Sequence, residues 1–107
     1  MTRPRARISV GFVPLGFSAW VPRRGTITVS EARLASNERL IAHELAHVLQ
    51  VEEYGLLRYY LNYFIGWVGS GFRYESIPME VEARKAETEP MMRQWARELI
   101  EGYPDGD

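Results

Sequence analysis

A chain of 107 residues has the usual size of one domain, and one spanning residues 1–107 is expected to bury roughly 60–70% of its unfolded surface on folding. Its hydrophobic fraction of 46% and charged fraction of 25% exclude an intrinsically disordered chain. A net charge of −1 gives no electrostatic footprint for nucleic acid, and the absence of cysteine excludes disulfides, thiolate metal sites and cysteine nucleophiles.

Met1 to Arg7 is basic, and the Arg3, Arg5, Arg7 run reads as a solvated terminus. The apolar stretch from Ile8 to Trp20 that follows is broken by Gly11, Pro14 and Gly16 and has no small-residue cleavage site after it, so it is not read as a secretory signal. Instead, Ile8, Val10 and Phe12 alternate as in a strand, Ala19 to Pro22 lies between turn residues, and Thr26 to Ser30 is β-branched through its centre. Arg23, Arg24 and Gly25 mark a turn, so two or three short antiparallel strands are expected.

Ser36 and Asn37 offer capping oxygens ahead of Glu38, and a helix is predicted from there to Gly55. A second helix covers Leu56 to about Val68 and stops at Gly69-Ser70-Gly71. That segment is too short to span a bilayer and contains Arg58 and Asn62, so a buried helix is expected. Pro78 suits the first turn of a third helix, Pro90 forces a break at Glu89, and a fourth helix runs from Pro90 to about Glu101. Gly102 to Asp107 reads as a frayed acidic tail. The predicted class is α+β, a small antiparallel sheet packed on three or four helices.

The chemistry sits in His43-Glu44-Leu45-Ala46-His47. Residues four apart on a helix lie about 40° apart around its axis, so both imidazoles project from one face toward a common point. Zinc held by imidazoles and a carboxylate keeps an open position and lowers the pKa of water there, and Glu44 is placed to accept that proton as general base. These are the only two histidines in the chain, and Glu44 is the only charged residue between Leu40 and Val51. A lone carboxylate in such an apolar helix calls for a nearby cation.

With no further histidine or cysteine, the third ligand has to be acidic. The only aspartates are Asp105 and Asp107, so glutamate is favoured. Glu80, opening the third helix, is the leading candidate, with Glu82 or Glu75 as alternatives; Ala83 and Glu87 share its face. Tyr74, Tyr54 and Arg73 are candidate donors to a developing oxyanion, with Tyr74 the nominated catalytic residue.

The motif His43-Glu44-Leu45-Ala46-His47, followed by Glu80-Val81-Glu82-Ala83, resembles the gluzincin metallopeptidases, and the short length resembles the minigluzincins. The sequence from His43 through Gln50-Val51, then Tyr54-Gly55 and Tyr74 to Arg84, is also similar to small bacterial and phage proteins and to toxin-associated metallopeptidase-like domains, and the resemblance covers Glu38 to Arg84. The resemblance implies a zincin-like fold, Zn2+ as cofactor, a peptide or protein substrate, and an edge strand that binds substrate in extended form, for which Thr26 to Ser30 is the candidate. It departs at Arg84, where such families often carry an aspartate supporting a histidine ligand, so that support must come from a carbonyl or Glu87. A cytoplasmic or phage-associated location is expected, with secretion left open.

The leading expectation is peptide-bond hydrolysis, latent if the Pro90 to Asp107 segment closes the cleft. The alternative is a zinc-binding structural or interaction module without turnover, such as a phage or secretion-assembly component. A third class is a non-catalytic membrane-surface module using Leu56 to Trp67, helped by Tyr59, Tyr60, Tyr63 and Trp67.

Overall fold

A computed structural model describes residues 3–103 and has the expected α+β class. Three strands, β1 (Arg7–Val10), β2 (Ala19–Arg23) and β3 (Thr26–Val29), form one sheet in the order β1-β3-β2. The sheet is mixed rather than antiparallel, because β1 runs parallel to β3 while β2 runs antiparallel to it.

The expectation that Thr26 to Ser30 forms the edge is also corrected. β3 is central, and all four of its residues, Thr-Ile-Thr-Val, are buried. An unbroken β-branched run is what a strand covered on both faces requires. The edge strands are β1 and β2, and Pro22 suits the latter: proline has no N–H for a ladder and is confined to edges and irregular positions. The pairing of β2 is accordingly irregular between Trp20 and Arg23.

Helix α1 (Glu38–Tyr54) starts where predicted, with the Asn37 side chain accepting from the Leu40 N–H at 3.1 Å. Its Ile41, Leu45, Val48 and Val51 are fully buried at helical spacing, packing against the sheet and the other helices. Each such side chain contributes about 1.5–3 kcal/mol relative to exposure, which makes α1 the spine of the core. Gly55, with φ of 80°, turns the chain straight into α2 (Leu56–Gly69), a conformation that would strain any other residue.

Helix α3 (Pro78–Ala86) packs on α1 through Ala83, which has no exposed surface. The small side chain lets the two backbones approach. The expected break occurs at Glu89, whose backbone is extended and whose carboxylate caps α4 (Pro90–Gly102) by accepting from the Met92 N–H at 2.9 Å. Helix α4 lies on α1 and β1. Of the expected frayed tail, Gly102 ends α4 and Tyr103 packs partly buried against the core; positions 104–107 lie outside the described residues.

Helix α2 departs from the buried helix expected. Only Tyr59 is buried, while Leu57, Leu61, Phe64, Ile65 and Val68 are exposed. No helix among the described residues is long and apolar enough to cross a membrane.

Candidate metal centre

The α1–α3 packing brings His43, His47 and Glu80 together. His47 and Glu80 are buried and His43 is largely so, with one ligand atom from each lying within 4.8 Å of the others. The His43 Nε2 stands 2.8 Å from Glu80 Oε1, and the His47 Nε2 stands 3.1 Å from Glu80 Oε2. The two rings sit one helical turn apart, 5.1 Å between centroids.

The far side of each ring shows what this cluster lacks. The Gln50 amide donates through Nε2 to the Met79 carbonyl at 3.2 Å and to Glu82 Oε1 at 2.9 Å, which turns its Oε1 toward His47 Nδ1 at 2.8 Å. His43 Nδ1 faces Glu87 Oε2 at 2.7 Å. Both partners are acceptors, so both Nδ1 atoms carry the proton and both neutral rings present bare Nε2 lone pairs to a carboxylate. Lone pairs facing lone pairs in a buried site are relieved either by a cation or by protons between them. Two nitrogens and a carboxylate oxygen form the kind of donor set that a divalent metal ion takes up, and the residues fit such an ion.

Without a metal, protons must fill that role. Burial pulls the His43 pKa down, but the Glu80 hydrogen bond, the Glu44 charge and the Glu87 hydrogen bond outweigh it and raise the group from 6.5 to about 9. His47 is raised as well, burial again being outweighed by Glu80 and Glu44. Burial would raise Glu80, yet hydrogen bonds from His43, His47 and Tyr63 hold it well below the usual carboxylate range. The Tyr63 hydroxyl donates to Glu80 Oε2 at 2.7 Å.

Glu44 is buried beside the triad, and burial raises its carboxyl pKa against the opposing charges of His47 and His43. It lines two cavities that meet at the site. The larger, about 410 Å³, is walled mainly by apolar groups including Leu15, Trp20, Tyr60, Phe64 and Trp67 and reaches His47 and Glu80. The smaller, about 310 Å³, is lined by Asn37, Arg39, His43 and Glu87 among others. Phe17, on the loop between β1 and β2, stacks on Tyr74 with centroids 5.0 Å apart, and both rings border both cavities.

No family model, curated protein or solved structure matches this chain. Function is therefore read from these residues alone.

The structure separates the remaining candidates. Glu82 bonds Gln50 and does not face the cluster, and Glu75 is exposed, its carbonyl accepting from Arg84. Glu87 meets the expectation of support for a histidine. Tyr74 lies on the cavity walls with Glu44, its hydroxyl pKa pushed above the ordinary value by burial and the Glu80 charge. Tyr54 lines a different cavity, with Gln50 and Glu82, and Arg73 lines neither of the two at the site. Among the described residues none of Pro90–Gly102 lines these cavities, positions 104–107 of the segment expected to close the cleft lie outside the described residues, and Phe17 and Tyr74 border both cavities.

Two contributors escaped the sequence reading. Gln50 is a buried amide in an otherwise apolar stretch three residues after His47, the same anomaly that drew attention to Glu44. Tyr63 was named only for the membrane-surface alternative, and only the turn of α2 shows it pointing to Glu80.

Proposed function

We propose that the protein is a zinc-dependent peptidase in which Glu44 acts as general base. The observation supporting this reading is the convergence of His43 Nε2, His47 Nε2 and the Glu80 carboxylate, with Glu44 on the wall of both adjoining cavities. His43, His47 and Glu80 would hold the zinc, the ion expected for a nitrogen-and-oxygen set with an open position. When bound, zinc supplies a Lewis acid that lowers the pKa of water and polarises a carbonyl.

Glu44 takes the proton from the attacking water and delivers it to the leaving amine. A raised carboxyl pKa suits both transfers, since the group must gain and lose a proton near neutrality. Tyr74, whose hydroxyl stays protonated, is positioned to donate to the oxygen that gains charge. Gln50 and Glu87 fix the ring orientations through Nδ1. The substrate lies along β2, whose Ala19, Trp20 and Val21 line the apolar cavity, and pairs with that edge in extended form.

Zinc-loaded protein is offered a mixed peptide library and the products are read by mass spectrometry. Cleavage is expected, and Glu44→Gln should lower it by about 10²–10⁴-fold while zinc content and fold persist. One zinc per chain with no cleavage of any peptide would replace this reading with that of a structural zinc module.

A further inference from the structure

We propose that Tyr63 is a positioning residue that sets which oxygen Glu80 offers to the ion: by holding Oε2 it leaves Oε1 as the ligand and so keeps a coordination position open. This rests on the zinc-peptidase reading of the site and deepens it.

The two histidines alone do not make that choice. Glu80 Oε1 lies 2.8 Å from His43 Nε2 and Oε2 lies 3.1 Å from His47 Nε2, so each oxygen faces one of the two nitrogens. A carboxylate set in this way can grip an ion through both oxygens. A fourth protein contact would then fill the position that a catalytic zinc centre leaves to water and substrate. The Tyr63 hydroxyl breaks the symmetry, because it donates to Oε2 at 2.7 Å, the shortest of the three contacts. A hydrogen bond to an ionised oxygen is strong and occupies electron density that an ion would otherwise take. Burial and then the Glu80 bond push the Tyr63 hydroxyl pKa up, so it keeps the proton it donates.

The helix holds the hydroxyl in place. Gly66 lies three residues after Tyr63 on α2, and a side-chain carbon there would stand 3.2 Å from Pro78 Cδ and 3.4 Å from Ile77 Cγ2. Glycine therefore lets α2 rest directly on the start of α3, the turn that carries Glu80. Three residues before Tyr63, the Tyr60 hydroxyl ties the same helix to the Val21 carbonyl, and Tyr59 is buried. Tyr74 also comes within hydrogen-bonding reach of Glu80 and Tyr63. It stands on the short turn Tyr74–Ser76 and is 37% exposed, which leaves its hydroxyl free to turn toward a substrate while Tyr63 stays on Glu80.

The test is visible absorption of the cobalt(II)-loaded chain, titrated with azide, for the wild type, Tyr63→Phe and Tyr60→Phe. Cobalt(II) in a tetrahedral shell absorbs more strongly than in an expanded one, and azide reports an open position. The wild type is expected to show strong tetrahedral bands that shift on addition of azide. Tyr63→Phe loses a hydroxyl but no ring; it should keep its circular dichroism and its bound cobalt, while losing band intensity and the azide response. Tyr60→Phe, which loses a hydroxyl that does not touch Glu80, should match the wild type in both readouts. Tyr63→Phe that retains the wild-type bands and azide shift overturns the proposal, as does a wild type with only weak bands. A folded Tyr63→Phe that no longer holds cobalt also overturns it, since the hydroxyl would then maintain the site rather than choose its oxygen. A wild type that takes up no cobalt overturns the metal centre and this inference together. The expected spectra in a chain that cleaves no peptide would support this inference and overturn the peptidase reading alone.

Discussion

Removing metal and then raising the pH is expected to destabilise this protein steeply. In the metal-free state His43 is held by Glu80 and Glu87, and its pKa moves from 6.5 to about 9. A folded pKa raised above the unfolded one contributes stability that is complete below pH 6.5 and disappears as the pH climbs through 9. At about 1.4 kcal/mol per pKa unit, the loss is on the order of 3 kcal/mol. For a domain of this size each kcal/mol moves Tm by about 4–8 °C, so a fall of roughly 12–24 °C is expected. His47, raised in the same sense, adds to it. Glu80 acts at the other end: its lowered pKa gives stability present above pH 4.5 and lost on further acidification, so it stays ionised throughout the alkaline window. Zinc and protons compete for the same Nε2 lone pairs, so zinc stabilisation, about 4 kcal/mol at a thousandfold excess over Kd, should grow toward alkaline pH. Thermal melts followed by circular dichroism, with chelator and with zinc, measure both curves. A metal-free Tm that is flat from pH 6.5 to 9, or a constant gap between the curves, would refute the pairing of these imidazoles with Glu80.

Gln50→Leu should leave His47 Nδ1 without its partner, and Glu87→Ala should do the same for His43; each is expected to weaken zinc about 10–100-fold in competition with a chromophoric chelator. Unchanged affinity in both would remove these residues from the account. Leu45→Ala, at a fully buried position on the helix that carries both histidines, should cost about 2–5 kcal/mol in urea denaturation. A cost under about 1 kcal/mol would mean that α1 is not the core element described.

Much of the site was legible because helical geometry is local. The spacing of His43, Glu44 and His47 depends only on 3.6 residues per turn, and the Asn37 cap and the Pro90 break bracket the helices by backbone chemistry alone. Glu80 followed from elimination and from Ala83 on its face. The sheet was less legible, because strand order depends on contacts far apart in sequence. Pro22 and the β-branched run Thr26–Val29 nevertheless carried the information that β2 is an edge and β3 the centre. For α2, composition showed an apolar helix but not its orientation; that depends on Tyr60 reaching Val21 and Tyr63 reaching Glu80, both tertiary contacts. The Phe17–Tyr74 stack beside the site was illegible for the same reason, since it joins residues more than fifty apart in the chain.

The central claim is that two imidazoles from α1 and one carboxylate from α3 bind a single cation. X-ray absorption at the zinc K-edge of the reconstituted protein tests it most directly. The account predicts one zinc per chain, two imidazole nitrogens at about 2.0–2.1 Å with oxygen completing the shell, and loss of that signal in His43→Ala and Glu80→Ala. Zinc that binds equally well to both variants, or a shell with fewer than two imidazoles, would contradict it.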